Sequence, residues 1–148
     1  MVRIFHSESD RGAAILAGSF VEHVLGLYLK FRIRDKKIAA ELFAPLGPLS
    51  NLDQRIAIAY AFDLISEAQY QDLALIRRIR NQFAHHPLET TFNTNEIKQL
   101  VSQVSTFSDI IAEQNLKVGE RHRTAYLLAC GVLCGRLLHT IEIEGKKV

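Results

Sequence analysis

The sequence predicts an all-α fold, a single helical bundle of five to seven helices over residues 1–148. Apolar residues recur at spacings of three and four in every long segment, which is typical of helices that bury one face. Turn-forming residues separate these segments, and no two segments alternate as paired strands do. With 148 residues, 48% of them apolar, the chain can bury a core without disulfides or metals.

The first predicted helix carries apolar residues on one face from Ile15 to Leu29. Ser7 and Ser9 precede it and Asp10 lies in its first turn, so capping groups are present at its start. Each glycine in a helix costs up to about 1 kcal/mol relative to alanine. This helix has three: Gly12, Gly18 and Gly26. They indicate either that another helix or chain approaches its backbone closely, or that the helix tolerates them.

A basic stretch follows this helix and is the best local candidate for phosphate contacts. Its cations are Lys30, Arg32, Arg34, Lys36 and Lys37. The alternative is a solvated helix end, where the helix dipole favours cations. The net charge of +2 gives no global reason to expect nucleic acid.

Two shorter helices come next. The first is predicted over Ile38–Phe43, before a turn rich in proline and glycine. Ser50 or Asn51 caps the second, which runs to about Leu64. Its apolar set is Leu52, Ile56, Ala59, Tyr60 and Phe62.

Ser66 starts a fourth helix, which Pro87 closes. The polar, threonine-rich residues 88–94 are predicted to form a loop. Asn95–Glu113 is predicted to be helical, with a break near Thr106.

Gly119 precedes the last predicted helix, Glu120–Ile141. This helix contains both cysteines, Cys130 and Cys134, at a spacing that could form half of a metal site. Because no second pair of cysteines or histidines has ligand spacing, we interpret them as core residues and expect no metal or other cofactor.

The N-terminus shows charge at once and no apolar segment typical of a signal peptide. No run of about 18 uncharged apolar residues predicts a membrane span. We therefore expect a cytoplasmic protein whose thiols stay reduced.

The fourth helix carries the most informative side chains. Its apolar side comprises Leu73, Ile76, Phe83 and Ala84. At 100° per residue Arg80 falls in the middle of this apolar sector, Arg77 at its edge, and Arg78 away from it. An arginine in that position needs a partner for its charge. Candidates are Asp10, Glu22, Asp53 and Asp63, and we favour Asp10 because it opens the first helix.

Arg80 has two interpretations. It can be one half of a buried ion pair that fixes how two helices dock. It can instead face a phosphate or a substrate in a cleft. His85 and His86 likewise can simply favour the helix C-terminus through its dipole.

Arg80, Asn81 and His85 form an Arg-Asn-x-x-x-His string. This string resembles the Arg-x4–6-His motif of HEPN domains, which are small helical bundles. The resemblance implies a dimer cleft in which arginine stabilises phosphorane charge and histidine acts as general base or acid. The HEPN resemblance implies an alternative function, metal-independent RNA cleavage. It also allows that the protein is an inactive, toxin-like relative of such ribonucleases.

A second resemblance covers roughly residues 7–86. The strings that carry it are Ser7–Gly18, Gly47–Ser50, Arg55–Ala57, Ala61–Ile65 and Ile76–His85. Together they are similar to the mannitol operon repressor family, which implies an all-helical bacterial regulator of sugar-alcohol uptake genes. No helix-turn-helix pattern with a basic recognition helix is visible.

We therefore predict a repressor-like regulator that acts through a protein partner and is not an enzyme. Direct binding of DNA or RNA stays open, as does a plain protein-interaction bundle. A homodimer is expected from the glycines and from the HEPN resemblance. The predicted binding residues are Asp10, Arg11, Arg77, Arg80, Asn81 and His85.

Overall fold

A computed structural model describes residues 7–86, 88–113 and 116–146. Within these ranges there are seven α-helices and a single 3-10 turn, Val118–Glu120, with no strand. The helices are α1 (Asp10–Arg32), α2 (Lys36–Leu42), α3 (Leu52–Ala61), α4 (Glu67–His85), α5 (Asn95–Ser102), α6 (Phe107–Glu113) and α7 (Arg121–Gly145). The predicted all-α fold is confirmed.

The two long helices α1 and α7 pack against each other and run in the same direction. Near one end the Tyr126 hydroxyl donates to the carbonyl of Ala14 at 3.0 Å. Near the other end Arg32 donates to Glu144 at 3.0 Å. Helix α4 packs on α1 and also contacts α7. Both long helices therefore pack on the helix that carries Arg80, as predicted.

Capping side chains that the sequence predicts fix where three of the helices begin. Ser9 accepts a hydrogen bond from the backbone N–H of Gly12, and Asn51 accepts one from that of Gln54. Ser66 and Gln69 form a reciprocal capping box at the start of α4. The predicted starts of α1, α3 and α4 are thus confirmed.

Several predicted boundaries shift. Helix α2 begins at Lys36, because Asp35 accepts from the N–H groups of the residues that follow and caps it. Helix α3 ends at Ala61, because Asp63 adopts a left-handed conformation with φ of 54°. Phe62 consequently lies outside the helix and is 69% exposed. The predicted break near Thr106 is confirmed.

The last helix is longer than predicted and ends at Gly145. Pro87, which was predicted to close α4, lies outside the described residues. Cys130 and Cys134 are buried members of the core. Burial raises the pKa of the Cys134 thiol to about 12 and that of Cys130 further, so both thiols stay protonated and pack as small apolar groups.

Two of the glycines in α1 mark close approaches within the chain. A Cβ at Gly18 would lie 2.9 Å from Cδ of Arg80 on α4. A Cβ at Gly26 would lie 3.1 Å from Nη1 of Arg55 on α3. The glycines therefore let two arginines cross the backbone of α1.

By length and composition alone, α1 and the segment Val118–Gly145 could each cross a membrane. About half of each apolar window is buried inside the fold, 56% and 44% respectively. Core helices of soluble proteins meet the same criterion, so this observation is weak evidence for a membrane span.

Candidate functional site

The C-terminal half of α4 presents two faces. The inner face carries Arg80 and lies against α1. The outer face is lined by Arg77, Arg78, Asn81, Gln82, His85 and His86, which surround an open groove of about 240 Å³. Four of the residues that the sequence predicts to bind lie on α4, and they are divided between these two faces.

On the inner face, Arg80 forms an ion pair with Glu22 of α1. Nη1 of Arg80 lies 2.7 Å from Oε2 of Glu22, and the two side chains are only 21% and 23% exposed. Gly18 lies one turn before Glu22 on the same side of α1 and leaves room for the arginine stem. The prediction of an ion-paired, mostly buried Arg80 is confirmed, but the predicted partner, Asp10, is wrong.

Arg55 of α3 is the third member of this cluster and was not among the predicted binding residues. Its Nη1 donates to the backbone carbonyl of Glu22 at 3.0 Å and lies 3.9 Å from the carboxylate. Its other nitrogens donate to the carbonyls of Leu49 and Ser50. The Arg55–Glu22–Arg80 cluster therefore joins α3, α1 and α4.

Asp10 joins α1 to α7 instead. Its Oδ1 lies 2.6 Å from Nη1 of Arg123, and its Oδ2 accepts the backbone N–H of Phe92 at 2.9 Å. Asp10 lies twelve residues before Glu22, which is about 120° away around the helix axis. It therefore faces a different neighbour. Arg11 is exposed and has no polar contact among the described residues.

The outer face is cationic, and within the part of the chain that the structure describes half of its six side chains have internal partners, among them Gln82, which donates to Glu96 at 2.7 Å. Arg77 lies 3.3 Å from Asp53, an ion-pair distance without hydrogen-bond geometry. Arg78 and His85 are exposed and have no polar partner among the described residues. Because no acidic side chain lines the groove, it is suited to an anionic group. Arginine can bind such a group through two parallel hydrogen bonds.

Two neighbouring rows of side chains make this groove, residues 77, 81 and 85 beside residues 78, 82 and 86. Successive residues of each row lie one helical turn apart. The first row was predicted to bind, whereas Arg78, Gln82 and His86 of the second row were not. The i, i+4 spacing of each row was the available signal, because residues four apart are neighbours on a helix surface. Ala84, predicted to lie on the apolar side, is exposed.

Asn81 connects the two faces. Its Oδ1 accepts from Nε and Nη2 of Arg80 at 3.4 and 3.3 Å, and its side chain lines the outer groove. Arg80 itself does not line that groove, whereas His85 does. Within one chain, therefore, Arg80 faces Glu22, and His85 faces solvent.

The basic stretch is largely occupied by local contacts. Lys36 donates to the carbonyls of Lys30 and Ile33, and Lys30 lies over the Phe43 ring at 4.9 Å. Arg32 bonds to Tyr28 and Glu144. Arg34 and Lys37 are exposed, and their side chains have no polar partner among the described residues.

Comparison with known proteins gives one family and one fold relative. No curated protein matches the sequence. A solved structure of a possible transcriptional regulator, YggD from Shigella flexneri, superposes with a TM-score of 0.65. It is 19% identical, and the match covers 82% of this chain and 84% of that one, which shows a shared fold. The family model described as mannitol repressor matches residues 31–132, well over half of the chain. The chain therefore belongs to the mannitol repressor family.

Proposed function

We propose that this protein is a repressor-like transcriptional regulator that acts through a protein partner rather than through a DNA-reading helix. Family membership supports the regulatory role. The observation that supports binding to a protein partner is the outer groove of α4. Its lining contains two arginines and two histidines and no acidic residue. Carboxylates of an acidic partner surface fit this groove.

The inner face has a structural role in this proposal. Arg80 and Arg55 are engaged by Glu22 and by backbone carbonyls, so their charges hold three helices together. The proposed recognition surface is therefore Arg77, Arg78, Asn81 and His85. We also propose that the protein, as a regulator, acts in the cytoplasm.

Transcript profiling of the native bacterium tests this proposal. Deletion of the gene should raise the transcripts of its target operon, and wild-type protein should restore repression. The double variant Arg77→Ala/Arg78→Ala should fail to restore it at equal protein level. Arg34→Ala, an exposed arginine on another surface, is the matched control and should repress normally.

A gel-shift assay with the upstream DNA of that operon tests the mode of action. The purified protein alone should show only weak, salt-sensitive binding, as expected of non-specific phosphate contacts. A sequence-specific shift by the purified protein alone would contradict partner-mediated action.

A metal-independent ribonuclease is the second candidate, supported by the Arg80-Asn81-x-x-x-His85 string on one helix. Such a ribonuclease needs an arginine and a histidine beside the same phosphate group. The ion pair with Glu22 holds Arg80 on the inner face of α4, away from His85. We expect no RNA cleavage in EDTA that is lost in His85→Ala. Robust cleavage that depends on His85 would favour the ribonuclease.

We also propose a homodimer. Two of the glycines in α1 are accounted for by Arg80 and Arg55, so the support comes now from exposed apolar residues on α7. Val132 and Leu138 are 39% and 40% exposed. Gly131 and Gly135 on the same helix have no atom within 4 Å of an added Cβ. Sedimentation at tens of micromolar protein should give a dimer, and a monomer there would refute this proposal.

A further inference from the structure

A second cavity, which shares no lining residue with the outer groove, lies between the end of α1 and α3. Its volume is about 770 Å³, within the range of roughly 300–1,000 Å³ that holds small ligands. Nine of its lining residues are apolar: Leu29, Ile33, Leu42, Pro48, Leu49, Ala57, Ile58, Phe62 and Leu64. The two polar lining residues are Arg32 and Gln54.

Phe62 is the unusual member of this lining. Phe62 is 69% exposed beside the cavity, although the sequence groups it with the apolar set of α3. The left-handed turn at Asp63 ends the helix here and separates Phe62 from Leu64, which also lines the cavity. An exposed aromatic ring beside an apolar cavity offers contact area to an apolar ligand.

Arg32 supplies the positive charge in the cavity lining. Its Nη2 donates to the Tyr28 hydroxyl at 2.9 Å and to Glu144 at 3.0 Å. Its Nε and Nη1 have no acceptor among the described residues. Because no acidic residue lines the cavity, these N–H groups are available to a ligand anion.

The rest of the basic stretch surrounds the same end of α1. Lys30, Arg34, Lys36 and Lys37 lie within five residues of Arg32. Asp35 is the acidic residue within that stretch, and its carboxylate is taken up by capping α2. An apolar cavity with a cationic edge is complementary to a molecule that has an apolar body and an anionic head.

We propose that this cavity binds a small amphipathic carboxylate, with an acyl or aryl body against Leu29, Ile58 and Phe62 and its carboxylate on Arg32. This site is separate from the outer groove of α4, and its test does not depend on the proposed repressor role. A sugar alcohol has hydroxyl groups along its whole length and lacks the apolar body that this lining requires.

Calorimetric titration with hexanoate, octanoate and decanoate, each below its micelle-forming concentration, tests the proposal. Binding should be saturable at one site per chain. Each added methylene should tighten it by up to about fourfold. Mannitol should neither bind in the cavity nor displace decanoate.

Four variants locate the site. Arg32→Met should weaken decanoate binding by about tenfold or more, since it removes charged hydrogen bonds, and should leave the binding of neutral 1-decanol unchanged. Glu144→Gln removes the competing anion and should tighten decanoate binding several-fold. Ala57→Trp places a large side chain at an exposed lining position and should abolish binding of both probes. Arg11→Met, which changes an exposed arginine in the first turn of α1, is the matched control and should bind decanoate as wild type does.

Thermal melts accompany each variant, so that a loss of binding is compared only among folded proteins. If Arg32→Met does not fold, Glu144→Gln and Ala57→Trp still test the charge and the cavity separately. The proposal is overturned if wild type shows no saturable decanoate binding, or if Ala57→Trp binds decanoate as wild type does. Equal affinity for decanoate and 1-decanol in wild type would refute the role of Arg32.

Discussion

The inner and outer faces of α4 carry the same kind of charge but face different surroundings. Arg80 lies opposite a carboxylate and crosses α1 where a glycine leaves space. Arg78, two residues earlier, faces solvent and has no polar partner among the described residues. Successive residues turn by about 100° on a helix. Angular position therefore decides whether an arginine holds helices together or stays available for another molecule.

Removing the shared anion of the inner face should have the largest effect. Glu22→Ala strands Arg80 and leaves Arg55 with backbone carbonyls only. We expect a loss of about 2–4 kcal/mol in the free energy of unfolding, somewhat below that of a fully buried pair because both side chains keep some solvent contact. Arg80→Ala should act in the same direction. Urea denaturation measures both.

The outer face provides the control for that experiment. Asp53 pairs with Arg77 but is 69% exposed. Asp53→Ala and Arg78→Ala should therefore each change the free energy of unfolding by no more than about 0.5–1 kcal/mol. Similar losses of unfolding free energy in Glu22→Ala and Asp53→Ala would contradict the difference between the inner and outer faces.

Two glycine substitutions test the space that the inner face requires. In Gly18→Ala the new methyl group would lie 2.9–3.0 Å from the Cβ, Cγ and Cδ atoms of Arg80. We expect a loss of about 1–3 kcal/mol from overpacking. In Gly131→Ala on α7 the new methyl group meets no atom of its own chain within 4 Å, and the variant should gain up to about 1 kcal/mol from helix propensity at protein concentrations where the monomer dominates. Thermal melting should show a lower melting temperature for Gly18→Ala and a higher one for Gly131→Ala. A stabilised Gly18→Ala would contradict the close approach of Arg80 to the backbone of α1.

The smallest expected effect comes from His122, a half-buried side chain that lacks a charged partner within the described ranges. His122 on α7 stacks on Phe107 at 5.5 Å, and its Nδ1 has no hydrogen-bond partner among the described residues. Burial, with a smaller effect of Lys98 and Arg121, lowers the pKa of His122.

Because folding favours the neutral imidazole, the unfolded chain binds more protons once the pH falls below the ordinary histidine pKa of about 6.5. This contribution to stability is therefore complete above that pH and is lost as the pH falls through it. Urea midpoints at pH 7.5 and 5.0 should differ less in His122→Gln than in wild type. Parallel pH profiles would show that His122 does not contribute.

The sequence was sufficient for features that depend on neighbouring residues along the chain. Ser9 and Ser66 cap helices because their side chains reach N–H groups three residues away. The apolar spacing placed Arg80 on a packed face, and the structure confirms that placement. The end of α3 was missed because a left-handed conformation at an aspartate has no strong local signal.

Partners across helices could not be predicted in the same way. Asp10 and Glu22 both lie on α1, and local sequence does not say which of them faces α4. That depends on the arrangement of α3, α4 and α7 around α1. Arg123, the true partner of Asp10, is 113 residues away in sequence. The outer groove is formed by two rows of side chains on a single helix, and the sequence analysis recognised the row of residues 77, 81 and 85 but not the row of residues 78, 82 and 86.

The parallel packing of α1 and α7 has a consequence for how the chain folds during synthesis. The contacts from α1 to Arg123, Tyr126 and Glu144 span 112 or 113 residues. Local contacts form early, whereas such distant ones carry a large loop-closure cost. Because α1 leaves the ribosome long before α7, the side of α1 that faces α7 stays accessible to chaperones until α7 has been made.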